Sequence, residues 1–192
     1  MGMDVHGLNP KENKNIDDFP VMKRFDSMDF SEKWKTLDKD EALRDEYWRE
    51  KDKWEKDNPG IYFRNNVWWW RPLWNYCYHV AEDIIEPNMR RMKYKYDADD
   101  EPIYEESEYV KSNFDNGHSN DGSGLDDKHA KLLGNRLMET IADGTAIKYQ
   151  ADYLQLMEDT DDDDFSKNYP FDVDNVERFA LFCIESGGFE IC

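Results

Sequence analysis

Residues 61–77 read IYFRNNVWWWRPLWNYC, and Trp68, Trp69, Trp70 and Trp74 fall within seven positions of one another. Each aromatic ring removes about 150–250 Å² from water when buried, so any fold open to this chain must wrap itself around this segment. Ile61 to Trp70 is expected to run extended, which would point Trp68 and Trp70 away from Trp69. Most of these rings then belong in the core, with one or two left at a surface. Pro72 suits the first turn of a helix. That helix would carry Leu73, Trp74, Cys77, Val80, Ala81, Ile84 and Ile85 at spacings of three and four. Pro87 should kink or restart it, with Met89 and Met92 continuing the apolar face.

Around this segment the chain is acidic. Its 44 carboxylates and 25 bases leave a net charge of −19 over 192 residues. Residues 59–96 carry 3 acids and 6 bases, the one positive stretch, whereas 97–128 carry 11 and 2, and 129–192 carry 14 and 5. A molecule so charged is repelled by nucleic-acid backbones and anionic membranes. Direct nucleic-acid binding and a membrane partner are therefore not expected, and a basic protein surface is. Aromatic residues reach 15%, far above a disordered composition, so a folded domain with solvated acidic loops is expected.

The three cysteines, Cys77, Cys183 and Cys192, form no C-x-x-C pair and no even set, which points to a reducing, cytoplasmic setting. MGMDVHGLNP lacks the basic and apolar regions of a signal peptide. His6 stands where a myristoylation signal wants Ser or Thr, and no apolar run approaches the ~20 residues that span a bilayer.

The expected fold is mainly α: a compact helical domain with an aromatic-rich core, a short extended segment near 61–70 and long acidic loops. Residues 1–27 read as an irregular arm and 28–192 as a single domain, with acidic loops at about 97–124 and 158–171. Ser31 or Asp29 caps a short helix carrying Trp34 and Leu37. Asp38 to Asp57 forms a charged helix with Leu43, Tyr47 and Trp54 on one stripe, stopped by Asn58-Pro59-Gly60. Leu125 to Ala142 is amphipathic through Leu133, Leu137 and Ile141. Thr145 caps a helix bearing Ile147, Tyr153, Leu154 and Met157. Asp172 or Asp174 caps another, with Val173, Val176, Phe179, Ala180 and Cys183, closed by Gly187-Gly188.

No catalytic motif is found. His6, His79, His118 and His129 are scattered, and neither G-x-S-x-G, H-E-x-x-H nor a Walker-type loop occurs. Asp159, Asp161 and Asp163 begin like a calcium loop, but Asp164 and Pro170 occupy the positions that need Gly and Glu. No metal, cofactor or catalytic residue is therefore assigned. Two binding candidates remain. The first is an acidic face of Asp97, Asp99, Asp100, Glu101, Glu105, Glu106, Asp161, Asp162, Asp163 and Asp164, which can meet a basic groove or imitate a polyanion. Its plainer reading is solubility. The second is Arg64, Asn65, Asn66, Trp69 and Arg71, a set able to stack on and hydrogen-bond a base or a partner side chain. Its plainer reading is core packing with the arginines paired to carboxylates.

FRNNVWWWRPLWNY (residues 63–76) and FALFCIESGGFEIC (residues 179–192) resemble uncharacterised bacteriophage-encoded proteins. The resemblance implies a setting inside a bacterial cell and no activity. The leading expectation is a non-enzymatic binding protein that docks on a basic surface and inhibits a nucleic-acid-handling host or defence enzyme. A nucleotide or small-ligand binding protein using 64–71 is the second, and a phage structural or assembly protein the third.

Overall fold

The computed structural model describes residues 2–96, 102–107, 117–161 and 164–192, with the backbone alone of 91–96, 102–107 and 165. The protein is mainly α, and the chain divides into two compact units, Met1–Pro10 with Gly60–Cys192 and, between them, Lys11–Pro59. The expected arm over 1–27 does not match this division. Gly2–Gly7 is strand β1, and residues from Lys11 onward belong to the inserted helical unit.

The inserted unit holds α1 (Pro20–Asp26), α2 (Phe30–Leu37) and α3 (Glu41–Asp57). Asp29 caps α2 through Ser31 N and Glu32 N, and Asp40 caps α3 through Leu43 N. The first residue of α1 is a proline preceded by Phe19, which has no side-chain acceptor to offer. Glu50 supplies one from α3, its Oε2 accepting from Val21 N and Met22 N at 2.9 Å each. Asn58 is fully satisfied in its buried site. Its Oδ1 accepts from Asn13 N and Lys14 N, and its Nδ2 donates to the carbonyls of Lys14 and Trp54. The core between these ties is Phe19, Met22, Phe25, Leu37 and Tyr47.

In the larger unit, β1 lies beside β2 (Tyr62–Asn66) and β6 (Gly188–Ile191), and β5 (Gly124–Asp126) completes an antiparallel sheet in the order β2-β1-β6-β5. The two ends of the described chain are thus neighbours, with Asp4 and Cys192 exchanging backbone hydrogen bonds of 3.1 and 2.7 Å. Period-two alternation buries Met3, Val5, Phe63, Leu125, Phe189 and Ile191 on one side. Among the described residues four α-helices accompany the sheet: α4 (Val67–Ile85), α5 (Asp127–Ala142), α6 (Thr145–Asp159) and α7 (Val173–Glu185). Gly134 lets α5 approach α7, since a Cβ there would lie 2.6 Å from the Ala180 carbonyl. Gly187 and Gly188, at φ of 63° and 94°, turn the chain from α7 into β6.

The extended segment ends at Asn66, earlier than the tryptophans. Asn66 caps α4 by accepting from Trp68 N and Trp69 N, so these rings are set by a helical period. Trp70, Leu73, Trp74, Cys77, Ala81, Ile84 and Ile85 all fall on its buried face. Trp70 stacks on Trp74 at 5.3 Å, and Phe179 meets both rings edge-on. Pro72 sits inside the helix instead of in its first turn and donates no bond to the preceding turn. The kink is at Ala81 (φ −144°) rather than at Pro87. Arg136 of α5 donates to the Val80 carbonyl at 2.9 Å beside that break. Met92 leaves the helical face altogether, because Arg91–Tyr96 is strand β3. It pairs antiparallel with β4 (Pro102–Ser107), so part of the expected 97–124 loop is a hairpin.

Candidate functional site

The aromatic–basic segment is divided by its change from strand to helix. Arg64 stands exposed on β2 with its Nε 3.4 Å from Asp4 Oδ1, and Tyr62 also donates to that oxygen. Asn65 is turned to the buried side of the same strand, and Asn66 is committed to its helix cap. Trp69 is half-buried, while Arg71 is exposed on α4. Arg71 donates to the Tyr169 hydroxyl at 2.7 Å and lies 5.7 Å from that ring's centroid. Trp68 meets the same ring edge-on at 5.1 Å. The structure therefore joins Arg71 to Trp68 and Tyr169 and leaves Arg64 with Asp4.

Next to this contact Tyr76, Tyr149, Tyr153 and Phe171 pack together, with exposed His79 against Tyr149 at 5.2 Å. Burial pushes the phenol of Tyr153 up to about 12, helped by Tyr149 and Tyr169. Burial also raises Tyr149. These phenols stay neutral and offer no base. Burial likewise raises the thiols of Cys77 and Cys183, which opposes thiolate chemistry. His129 is oriented by Asp126, whose Oδ1 is 2.7 Å from Nδ1. Partial burial works against ionisation of Asp126, but the hydrogen bonds from His129 outweigh it and lower its pKa.

Of the acidic candidates, Asp97, Asp99, Asp100, Glu101, Asp162 and Asp163 lie outside the described residues. Glu105 and Glu106 are on β4, opposite Lys93 and Met92 in the register. Asp161 and Asp164 are exposed. Asp164 accepts from Ser166 N and Oγ at 2.8 and 2.7 Å, and the bonds to Ser166 lower its pKa, keeping it ionised. Among the described residues no group of three or more His, Cys, Asp or Glu side chains gathers to hold a metal ion, and no helix is long and apolar enough to cross a membrane.

Two surfaces were not foreseen as sites. In the inserted unit, Phe30 (75% exposed), Trp34 and Trp48 (40%) form a ladder with ring separations of 6.1 and 5.9 Å. In the larger unit, Ile147 and Leu154, expected on the core-facing side of α6, are 62% and 50% exposed. Tyr153, expected with them, does face the core, and Ala146 and Tyr149 join it there. The signal was a competition between two helical series one residue apart, and the aromatic one wins by burying more area.

No family model, no curated protein and no solved structure matches this chain.

Proposed function

We propose that this is a non-catalytic binding protein that sets the acidic surface of its larger unit against a basic protein surface. The observation that carries the reading is where the charge lies. Lys11–Pro59 has 15 acids and 12 bases, a net of −3, whereas the rest of the chain has 29 and 13, a net of −16. In the larger unit several bases are already held by carboxylates, as in Arg64–Asp4, Lys131–Asp127 and Arg136–Asp83. Part of the surplus stands exposed on described helices and loops of this unit, as at Glu82, Asp83, Glu158, Asp159, Asp161 and Asp164, and such a surplus speeds encounter with a cationic partner and disfavours anionic ones. A packed scaffold also lowers the ordering cost that a floppy acidic run would incur on binding.

The resemblance of residues 63–76 and 179–192 to bacteriophage-encoded proteins supplies the setting for this proposal, a bacterial cytoplasm, and a nucleic-acid-handling host or defence enzyme as target. Affinity capture from bacterial lysate at low and high salt, with mass-spectrometric identification, tests it. The expected result is a DNA- or RNA-handling enzyme held at low salt, released at high salt, and displaced by added duplex. Capture that is indifferent to salt, or no specific capture, overturns it.

A further inference from the structure

The outer side of α6 carries a second, solvated stripe. Ile147, Ala151, Leu154 and Glu158 follow at steps of four, three and four, and all are exposed. Two large aliphatic side chains two turns apart on one helix face are the pattern by which helices seat other helices. This stripe runs into charge. Glu158 and Asp159 close α6, its last turn has no base, and exposed Asp161 and Asp164 follow. Carboxylates at a helix C-terminus oppose the macrodipole, which favours cations there. The arrangement weakens the helix end and concentrates negative potential beside apolar anchors.

We propose that this face of α6 docks an amphipathic helix of a basic partner protein, with aliphatic side chains seated on Ile147 and Leu154 and Lys or Arg beside Glu158 and Asp159. The proposal rests on the acidic-docking reading and specifies its contact. Charge selects the occupant: a second copy would set −19 against −19, and an anionic membrane is repelled in the same way.

The test uses the full chain and two labelled synthetic peptides of identical composition, read by fluorescence anisotropy at low and moderate salt. One peptide places Leu on a single helical face with Lys and Arg clustered at one end, and the other scrambles that order. The patterned peptide should bind about tenfold more tightly, a difference of about 1.4 kcal/mol. The double variant Ile147→Ser/Leu154→Ser should reduce it to the scrambled level. Ala151→Arg, which obstructs the stripe while keeping both anchors, should do the same. Glu158→Gln/Asp159→Asn should weaken both peptides severalfold and flatten the salt dependence. Equal binding of the two peptides, or indifference to the stripe variants, overturns the α6 face while salt-dependent binding sustains acidic docking. Failure of both peptides to bind at low salt overturns both readings.

Discussion

In Lys11–Pro59 five buried apolar side chains share their helices with a set of long-range polar ties, whereas the larger unit buries Trp70, Trp74, Phe179, Phe182 and Phe189 within one continuous cluster. The smaller core has little apolar area to set against chain entropy. Its helices are held where specific acceptors reach across the unit: Glu50 to α1, Asn58 to residues 13 and 14, and Asp26 to Tyr47 and Lys33. The larger unit is insured against the loss of any one polar contact by ring packing. Removing a ring from one unit and an acceptor from the other should therefore give losses of different origin.

The largest effect is expected at Trp70. Trp70→Ala deletes a ring stacked on Trp74 and the Nε1 bond to the Gly117 carbonyl. It should lower stability by about 3–5 kcal/mol. Urea denaturation measures the total, and hydrogen exchange read segment by segment assigns it. Amides of α4 and α7 should lose protection most. Equal acceleration across Lys11–Pro59 would erase the distinction between the units.

Asn58→Ala comes next. It removes the side-chain acceptor of two backbone N–H groups and the donor to the Lys14 carbonyl, while the Trp54 carbonyl keeps the backbone N–H of residue 58, and about 2–3 kcal/mol should be lost by urea titration. The polar tie has a control in Asn58→Asp, which keeps acceptors but turns a carboxylate oxygen towards the two carbonyls. Restoration of full stability by Asp would show that the donor half of the tie is idle.

Glu50→Ala should cost about 1–2 kcal/mol, the scale of a lost N-cap. Glu50→Gln should cost less, because the acceptor remains and only the charge at the helix N-terminus goes. Identical losses for the two variants would mean that Glu50 acts by packing.

How far such ties can be read from sequence depends on their reach. The caps Asp29 and Asp172 and the stop at Asn58-Pro59-Gly60 are local and legible. Glu50 is 28 and 29 residues from the N–H groups it serves, and nothing near Pro20 announces it. The sheet is harder still. Met3 and Val5 alternate with Asp4 and His6, and Phe189 and Ile191 flank Glu190, but each run is too short to stand out and its partner strand lies at the other end of the chain. The tryptophan block was legible as core and not as helix. Pro72 suggested a start five residues late, and the burial of Trp70, Leu73 and Trp74 outweighs the bond that Pro72 cannot make. As for candidate sites, charge and composition pointed to an acidic face, but six of its ten named residues lie outside the described chain. The exposed stripe of α6 was hidden because Ile147 and Leu154 look like core partners of Tyr153 until Ala146 and Tyr149 take that side with it.

The smallest effect is nil at neutral pH and separates the units by the cause of one shared property. Tyr47 and Tyr153, one in each unit, both have phenols pushed up to about 12 from 10.0. For Tyr47 the causes are burial, then its hydrogen bond to Asp26 and that carboxylate's charge. For Tyr153 they are burial, then neighbouring Tyr149 and Tyr169. Because the folded value lies above the unfolded one, each contribution is complete below pH 10 and is lost as pH rises towards 12. Tyr47→Phe and Tyr153→Phe should each flatten the fall in stability over that window, gaining on the wild type as pH rises. Adding Asp26→Asn to the wild type should flatten the Tyr47 part alone, since only that phenol faces a carboxylate. Tyrosinate absorbance near 295 nm, followed together with urea midpoints from pH 9 to 12, reads both. A Tyr47 titration unmoved by Asp26→Asn would make burial its whole cause, and the polar tie of the smaller unit would then differ from the larger unit's ring packing in geometry but not in electrostatics.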